Sequence, residues 1–464
     1  MPARFSQDGR LHWRPLIAEL RVPAVDSIPD LLLGRLTARA EALPARGRRL
    51  LVGLSGGLDS TVLLHLLARI HLDAGFALEA AHVHHGLNPR ADEWLAHCRH
   101  VCAALGVRLH ECRVTVTASG KGLEAAAREA RHSALAAISS DWIVLAHHRG
   151  DQAETLLHRL VRGAGVHGAG AMRERDAERR LWRPLLDESR TALLVWAQAQ
   201  GLSWIEDDSN ADVTFTRNRL RHEILPLLET HFGSVEGNLA RAARHFGEGA
   251  QLLDDLAAID ADAVMPSKPG SRGRLRALSA SRARNLLRHL LALAGARMPD
   301  SARLDDALRQ LHGDAAVRVP MDAVWLCAYR DRVWLEQNAA VEQPVVWQGE
   351  PLLAWGDGQV RFLRVATGGL ALAPGCLLGL SDGHDRLRLH VGGPSRPFRL
   401  LCQEVGIPPW WRARLPVLRD AAGVPIWIGG VGANVDSAAA EGCSGWSVRW
   451  EPSRNAHDAL CLDS

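Results

Sequence analysis

Residues 50–60 read Leu-Leu-Val-Gly-Leu-Ser-Gly-Gly-Leu-Asp-Ser, and no other stretch constrains the chain as much. Residues 50–54 suit a buried strand, and a helix-period apolar pattern runs from Leu58 to about Arg69. A strand that breaks at Ser55-Gly56-Gly57 into a helix aims backbone N–H groups and a helix N-terminus at an anion. Two glycines let the backbone approach a phosphate without Cβ clashes. Ser55 and Ser60 add hydroxyls, and Asp59 adds a carboxylate suited to Mg²⁺ beside the phosphates. The lysine-bearing phosphate loop, GxxxxGKS/T, is absent. Of 55 basic residues only Lys121 and Lys268 are lysines, so no ammonium is near the turn.

The length of 464 residues allows two to four domains, each able to bury a core. A net charge of +3 means that a polyanionic partner must be met by local arginine patches. The eight cysteines show no framework, and there is no signal peptide or apolar run near 18 residues. A reduced, cytoplasmic setting without a membrane is expected.

From residue 50 the pattern is βαβα. Strands are predicted at 50–54, 78–83, 107–114 and 142–146, and helices at 58–69, 91–105, 123–138 and 152–161. A further helix is predicted at 30–42, ended by Pro44. Such alternation implies a parallel sheet with helices on both faces and ligands beyond the strands' carboxyl ends. Four stretches fall there: residues 55–60, 82–87, the turn before Lys121, and 147–154. After Met172 helices are predicted at 187–200, 215–229, 235–262, 275–295 and 302–311, with a linker at 265–270. From Ala316 the pattern changes to short β-like runs with many Trp, Gly and Pro, first at 317–319, 323–329 and 332–336. Residues 349 to about 450 read as a separate, mostly β domain.

Several of these stretches can carry chemistry. His82-Val83-His84-His85 closes the second strand and suits a base or phosphate contact; with His147, His148 and Asp151 it could also be a metal site, though ligand spacing is poor. Glu124, Arg128 and Arg131 share a helix face, either as a solvated ion pair or as the border of a phosphate cleft. Asp151 and Glu154 lie one turn apart at a helix start. They either complement the helix dipole or grip an ammonium group or Mg²⁺. Residues 162–168, Arg-Gly-Ala-Gly-Val-His-Gly, are a linker or a mobile loop that closes over substrate. Asp207-Asp208-Ser209-Asn210 leads into an arginine-dense helix where Arg217 and Arg221 share a face and would repel unless an anion bridges them. Cys98 and Cys102 are four apart and suit core or surface thiols.

SGGLDS at 55–60 resembles the PP-loop of the N-type ATP pyrophosphatases, which transfer AMP to a substrate oxygen and release pyrophosphate. With HVHHGL at 82–87, EAAAREARHSAL at 124–135, HHRGDQAET at 147–155, DDSNADVTFTRNRLR at 207–221 and QEVGIPPWWRARLPVL at 403–418, the chain is similar to the tRNA(Ile)-lysidine synthases from about residue 50 to 428.

The resemblance implies an α/β, Rossmann-like PP-loop domain at 47–222 behind an extension at 1–46, a helical tRNA-binding middle domain at 223–340 and a mostly β tRNA-binding C-terminal domain at 341–464. It implies a ligase that uses ATP and Mg²⁺ to adenylate the C2 oxygen of the wobble cytidine of a CAU-anticodon tRNA(Ile). The L-lysine ε-amine then displaces AMP to give lysidine. By the resemblance, ATP meets Ser55, Gly56, Gly57, Leu58, Asp59, Ser60 and His84, with Asp59 holding Mg²⁺. Asp59, Asp151 and Glu154 are catalytic, the last two suited to the lysine ammonium. Arg128, Arg131, Arg217, Arg221, Trp411 and Arg412 meet ATP or tRNA, with Trp410 and Arg414 beside them; a homodimer is allowed.

Gly150 stands where the family usually has an Asp, His132 replaces a frequent Tyr, and 396–399 replaces a lysine-containing stretch. A tRNA thiolase is the alternative within the fold, but it needs a reactive cysteine or a C-x-x-C near the loop. A weakened tRNA-binding protein is the alternative outside catalysis; retention of Ser55, Asp59, Asp151 and Glu154 argues against it.

Overall fold

A computed structural model describes residues 28–43, 48–116, 123–206, 216–266, 269–337 and 342–452. Pro44, Lys121, Lys268, the Asx-rich turn at 207–210 and the Glu124 side chain lie outside the described residues. The chain divides into two compact units, Met1–Gln251 and Leu252–Ser464.

The first unit begins with α1 (Ile28–Glu41), β1 (Arg49–Gly53) and α2 (Leu58–Ala74), followed by β2 (Ala77–His84), α3 (Ala91–Leu105) and β3 (Arg108–Arg113). Then come α4 (Leu123–Ala137), β4 (Trp142–Val144), α5 (Arg149–Leu160), α6 (Val166–Ala169), β5 (Arg175–Asp176), β6 (Leu181–Trp182) and α7 (Arg190–Ala199). The strands lie in the order β3-β2-β1-β4-β6-β5, parallel except for β5 at the edge.

Alternation along β1 explains why both sheet faces are covered. Leu50 and Val52 pack with α1, α2, α3 and α7, whereas Leu51 joins Ala81, Ile143 and the α4 residue Leu135 on the other face. Strands buried on both faces read as continuous apolar runs, which is why they were visible in the sequence. Helix α2 is apolar on nearly all sides, with Val62, Leu63, Leu64, Leu66 and Leu67 each at 0% exposure, so it is an interior helix.

The strand order positions the site. The chain leaves β1 toward β2 and β3, then returns to place β4 on the opposite side of β1. The carboxyl ends of β1 and β4 therefore flank the point where the winding reverses, the place where open α/β sheets bind ligands. Residues 55–60 follow β1 and residues 147–154 follow β4, so sequence segments about ninety residues apart meet there by topology.

Past α7 come α8 (Thr216–Arg219), one π-helical turn (Leu220–Ile224), α9 (Leu225–Phe232) and α10 (Val235–Val264). The expected single helix at 215–229 contains that turn because Pro226 has no N–H to continue the ladder. The Leu225 N–H donates instead to the Leu220 carbonyl, five residues back.

The second unit continues with β7 (Gly270–Ser271), α11 (Arg272–Ala277), α12 (Ala280–Leu293), α13 (Ser301–His312), β8 (Val317–Met321), β9 (Val324–Tyr329) and β10 (Arg332–Gln337). The single helix expected at 275–295 is two, because the Ser279 hydroxyl accepts from the Arg282 N–H and caps a fresh start. Arg272 is 1% exposed and donates to the carbonyls of Leu311, Ala315 and Gln310, at 2.9, 2.9 and 3.1 Å, closing the end of α13.

The antiparallel sheet β7-β10-β9-β8 serves two cores. Val324, Leu326, Ala328 and Val333 face the helices; Cys327 and Trp334, alternating with them, face the C-terminal segment. That segment comprises β11 (Val345–Trp347), β12 (Leu352–Trp355), β13 (Gly358–Val365), β14 (Cys376–Gly379), β15 (Arg386–Leu387), β16 (Arg396–Pro397), α14 (Phe398–Glu404), α15 (Pro409–Arg412), β17 (Val417–Arg419), β18 (Pro425–Ile428), β19 (Gly432–Ala433) and β20 (Gly445–Glu451). Among the described residues no helix is long and apolar enough to cross a membrane.

Candidate active site

The loop after β1 is held by its own hydroxyls. Ser55 Oγ lies 3.0 Å from Ser60 Oγ, Ser60 Oγ donates to the Gly57 carbonyl at 3.1 Å, and the Ser55 N–H donates to Ser60 Oγ at 3.2 Å. Gly56 has φ +87, and a Cβ there would meet Ile205 Cδ1 at 2.9 Å and Cys98 Sγ at 3.2 Å, so both conformation and space demand glycine. The Gly57 residue preceding α2 supplies no side-chain acceptor, which leaves first-turn N–H groups available to an anion.

Each predicted loop residue therefore has a separate part. Ser55 is exposed. The Leu58 side chain, 4% exposed, belongs to the core, so Leu58 can offer a phosphate nothing but its amide. Ser60, 5% exposed, ties the loop from within instead of lining its surface.

Asp59 extends from the first turn of α2 toward the end of β4. His148 Nε2 lies 3.9 Å from Asp59 Oδ2 and 3.6 Å from Asp151 Oδ2, so one imidazole stands between the two carboxylates. His148 Nδ1 accepts from the Gly150 N–H at 3.0 Å. By that hydrogen bond the neutral ring carries its proton on Nε2, the atom turned toward both acids. Arg190, the first residue of α7, brings Nε to 3.9 Å from Asp59 Oδ1. Asp59 Oδ1 is buried without a hydrogen-bond partner, and burial raises the Asp59 pKa against the pull of His148 and Arg190. A partnerless buried carboxylate oxygen beside a phosphate-type turn fits a divalent cation held by one carboxylate and substrate phosphates. Among the described residues no group of three or more His, Cys, Asp or Glu side chains is arranged to hold a metal ion, so the histidine-rich site weighed from sequence does not assemble there.

Asp151 and Glu154 open α5. Asp151 Oδ2 accepts from the His148 N–H at 3.0 Å, completing a reciprocal helix cap. Burial pushes the Asp151 pKa up, but His148, His147, the His148 N–H and Arg221 outweigh it, and Asp151 lies below the usual carboxylate range. Glu154 is 4% exposed, and burial raises its pKa against Arg221 and Arg217.

Arg217 and Arg221, expected to repel unless an anion bridges them, face carboxylates of the chain itself. Arg221 Nη2 donates to Asp151 Oδ1 at 2.8 Å and to Glu154 Oε2 at 2.9 Å, and Arg217 Nε lies 3.6 Å from Glu154 Oε1. The two acids already satisfy the arginines that the sequence pattern left unpaired.

Other predicted residues fall into three places. Arg128 and Arg131 lie on α4 toward His147; burial and the charges of Arg183, Arg128 and Arg131 push its pKa down to about 3 despite Asp151, keeping the ring neutral. Arg131 Nε is buried without a hydrogen-bond partner. His84 sits beside Asp92 of α3, Nε2 to Oδ1 3.3 Å, while it is His82 that reaches the loop's root, its Nδ1 2.9 Å from the Leu54 carbonyl oxygen.

In the second unit, Trp411 is 3% exposed and its indole N–H donates to Glu336 Oε2 at 2.8 Å. A ring sealed in a core offers no face to a base, so the expected stacking by Trp411 is withdrawn. Trp410 donates to the same oxygen at 3.2 Å, Arg412 Nε donates to the Ile407 carbonyl at 3.1 Å, and Arg414 pairs with Glu342 at 2.6 Å.

Sequence reasoning missed Arg190, which carried no motif signal. His148 was weighed as a metal ligand, whereas its Nδ1 accepts from the Gly150 N–H and its Nε2 stands 3.9 and 3.6 Å from the two carboxylates.

Gly150, the departure noted above, proves to be a fit. A Cβ there would lie 2.9 Å from His148 Cε1 and 3.2 Å from its Nδ1. Gly150→Asp is expected to push the ring from its place between Asp59 and Asp151 and to lower turnover by about 10–100-fold, the range for displaced outer-shell partners. Steady-state turnover of the variant checks this; equal or higher turnover would show that the ring tolerates the side chain.

A family model for a PP-loop domain matches residues 34–228, one for a TilS substrate binding domain matches 271–334, and one for a TilS substrate C-terminal domain matches 378–450. A tRNA(Ile)-lysidine synthase of Azoarcus sp. is 48% identical over 431 residues, covering 89% of this chain and 94% of its own. The chain belongs to the tRNA(Ile)-lysidine synthase family. An enzyme of that name from Aromatoleum aromaticum is 47% identical, covering 88% of this chain and 99% of its own. Another from Nitrosomonas europaea is 38% identical, covering 90% and 94%.

Membership in the lysidine synthase family agrees with the cysteine chemistry. Cys98, beneath the loop with Sγ 3.3 Å from His82 Nδ1, is pushed by burial up to about 12, and Cys102 up to about 11. Such thiols stay protonated and unreactive at neutral pH, which opposes a thiolase. Native-state alkylation with iodoacetamide at pH 8 is expected to mark exposed Cys443 and spare Cys98 and Cys102, read by peptide mass spectrometry. Modification of Cys98 in folded protein would reopen the thiolase reading.

Proposed function

We propose that the chain joins L-lysine to C2 of the wobble cytidine of a CAU-anticodon tRNA(Ile), at the expense of ATP, in the cytoplasm. The observation that carries this is the convergence of Asp59 and Asp151 on His148 where the sheet's winding reverses, beside a turn built to face phosphate.

The loop's amides and Ser55 hold the ATP phosphates, and Asp59 holds Mg²⁺, with His148 and Arg190 placing the Asp59 carboxylate. When bound, Mg²⁺ supplies charge neutralisation of the polyphosphate. The wobble oxygen attacks the α-phosphorus and pyrophosphate leaves, so the cytidine C2 carries AMP as its leaving group. Asp151 and Glu154 seat the ε-ammonium of lysine. An ammonium with a pKa of about 10.4 cannot attack until it loses a proton. Glu154 suits that task, because a carboxylate whose pKa is raised by burial accepts protons more readily than an ordinary one. The amine nitrogen then bonds to C2, and AMP departs with the former C2 oxygen. Arg128 and Arg131 meet phosphate, and the second unit, matched by both substrate-domain models, holds the tRNA body as a monomer or homodimer.

Nucleoside analysis of tRNA(Ile) after incubation tests this. A nucleoside heavier than cytidine by the lysyl addition, formed when ATP and lysine are both present, is expected. Its absence, or incorporation of sulfur in its place, would refute the assignment.

A further inference from the structure

The position of Arg221 has a consequence for how lysine enters. Its Nη2 lies 2.8 Å from Asp151 Oδ1 and 2.9 Å from Glu154 Oε2, the separations an ammonium nitrogen adopts between two carboxylates. Glu154 is nearly sealed from water and Asp151 lies one helical turn before it, so two neighbouring acids require a cation to coexist. In this structure that cation is supplied by the chain itself.

We infer that Arg221 is a resident stand-in for the substrate ammonium, one that lysine must displace, and that a phosphate draws it away. The inference rests on the reading that Asp151 and Glu154 seat lysine. Two cations cannot share the spot, because charges a few ångströms apart in a partly buried site repel strongly. Arg221 is able to move: its side chain is 37% exposed, and it sits in the π-helical turn, whose irregular hydrogen bonding tolerates rearrangement. Its fork geometry then suits phosphate, which the two acids cannot offer lysine to compete for. Lysine affinity is thereby tied to the presence of the phosphate-bearing substrate, and free amine is kept from the site until an adenylated or adenylatable partner is there.

Equilibrium dialysis with labelled lysine on the full-length protein tests this. Without nucleotide, Arg221→Met is expected to bind lysine about tenfold more tightly than the parent, within the usual range of coupling between two ligands. In the parent protein, a non-hydrolysable ATP analogue or tRNA(Ile) alone is expected to strengthen lysine binding, and the arm that does so identifies the phosphate source. Neither should strengthen it in Arg221→Met. Unchanged or weaker lysine binding by Arg221→Met overturns the inference, as does parent binding that ignores both phosphate sources. This second arm needs no variant and stands even if Arg221→Met folds poorly. Glu154→Gln separates the two layers. Weakened lysine binding in Glu154→Gln alongside a failed Arg221→Met result removes the stand-in and leaves the carboxylate seat. Unaltered lysine binding in Glu154→Gln removes both.

Discussion

Asp59→Ala is expected to lower pyrophosphate release by about a hundred- to a thousandfold, the scale on which loss of one preorganised electrostatic contact acts. The Asp59 side chain is 31% exposed and caps nothing, so the variant should melt near the parent temperature. Asp59 is the carboxylate at the loop whose Oδ1 lacks a partner, and no neighbour within hydrogen-bond reach replaces it. Near-parent turnover would remove Asp59 from the mechanism. A pH profile adds a second reading. Burial raises the Asp59 pKa above the ordinary 3.8. The proton therefore returns to Asp59 at a higher pH than to a solvated aspartate, and because only the ionised form would hold a divalent cation, activity should fall on acidification earlier than for an ordinary aspartate.

Glu336→Ala is expected to destabilise the second unit by about 3 kcal/mol, the lower end of the range for breaking a buried ion pair. Glu336 is 1% exposed and accepts from three indoles, Trp334, Trp410 and Trp411, at 3.4, 3.2 and 2.8 Å, while Arg318 donates at 3.1 Å. Removal of the carboxylate strands those donors in a core between β10 and α15. Arg318 is 30% exposed, so water recovers part of its loss, which sets the figure at the low end. Glu336→Gln should fall between, since an amide oxygen accepts without the charge. Urea unfolding gives the values; a cost below about 1 kcal/mol for the alanine variant would mean that the indoles find other partners.

The first unit was legible because its signals are local and repeated. Apolar runs at 50–54 and 142–146 became β1 and β4, and the predicted helix at 91–105 matches α3 at both ends. The loop was legible because strand, glycines and helix follow one another within eleven residues. What stayed hidden was partner choice. Arg221 chooses Asp151 and Glu154 from about seventy residues away. Trp411 is buried by Glu336, 75 positions earlier, and no local pattern separates an indole that stacks on RNA from one that caps a buried acid. The break at Ser279 was locally encoded but masked by apolar periodicity continuing through it.

In the proposed reaction the serine-glycine-glycine turn presents the α-phosphorus of ATP to an RNA oxygen. Incubation of protein and tRNA(Ile) with α-labelled ATP, lysine withheld, measures this most directly. The label is expected to travel with the tRNA and to appear as free AMP once lysine is added. Label that never associates with the tRNA, or that stays on it after lysine is supplied, would contradict the mechanism.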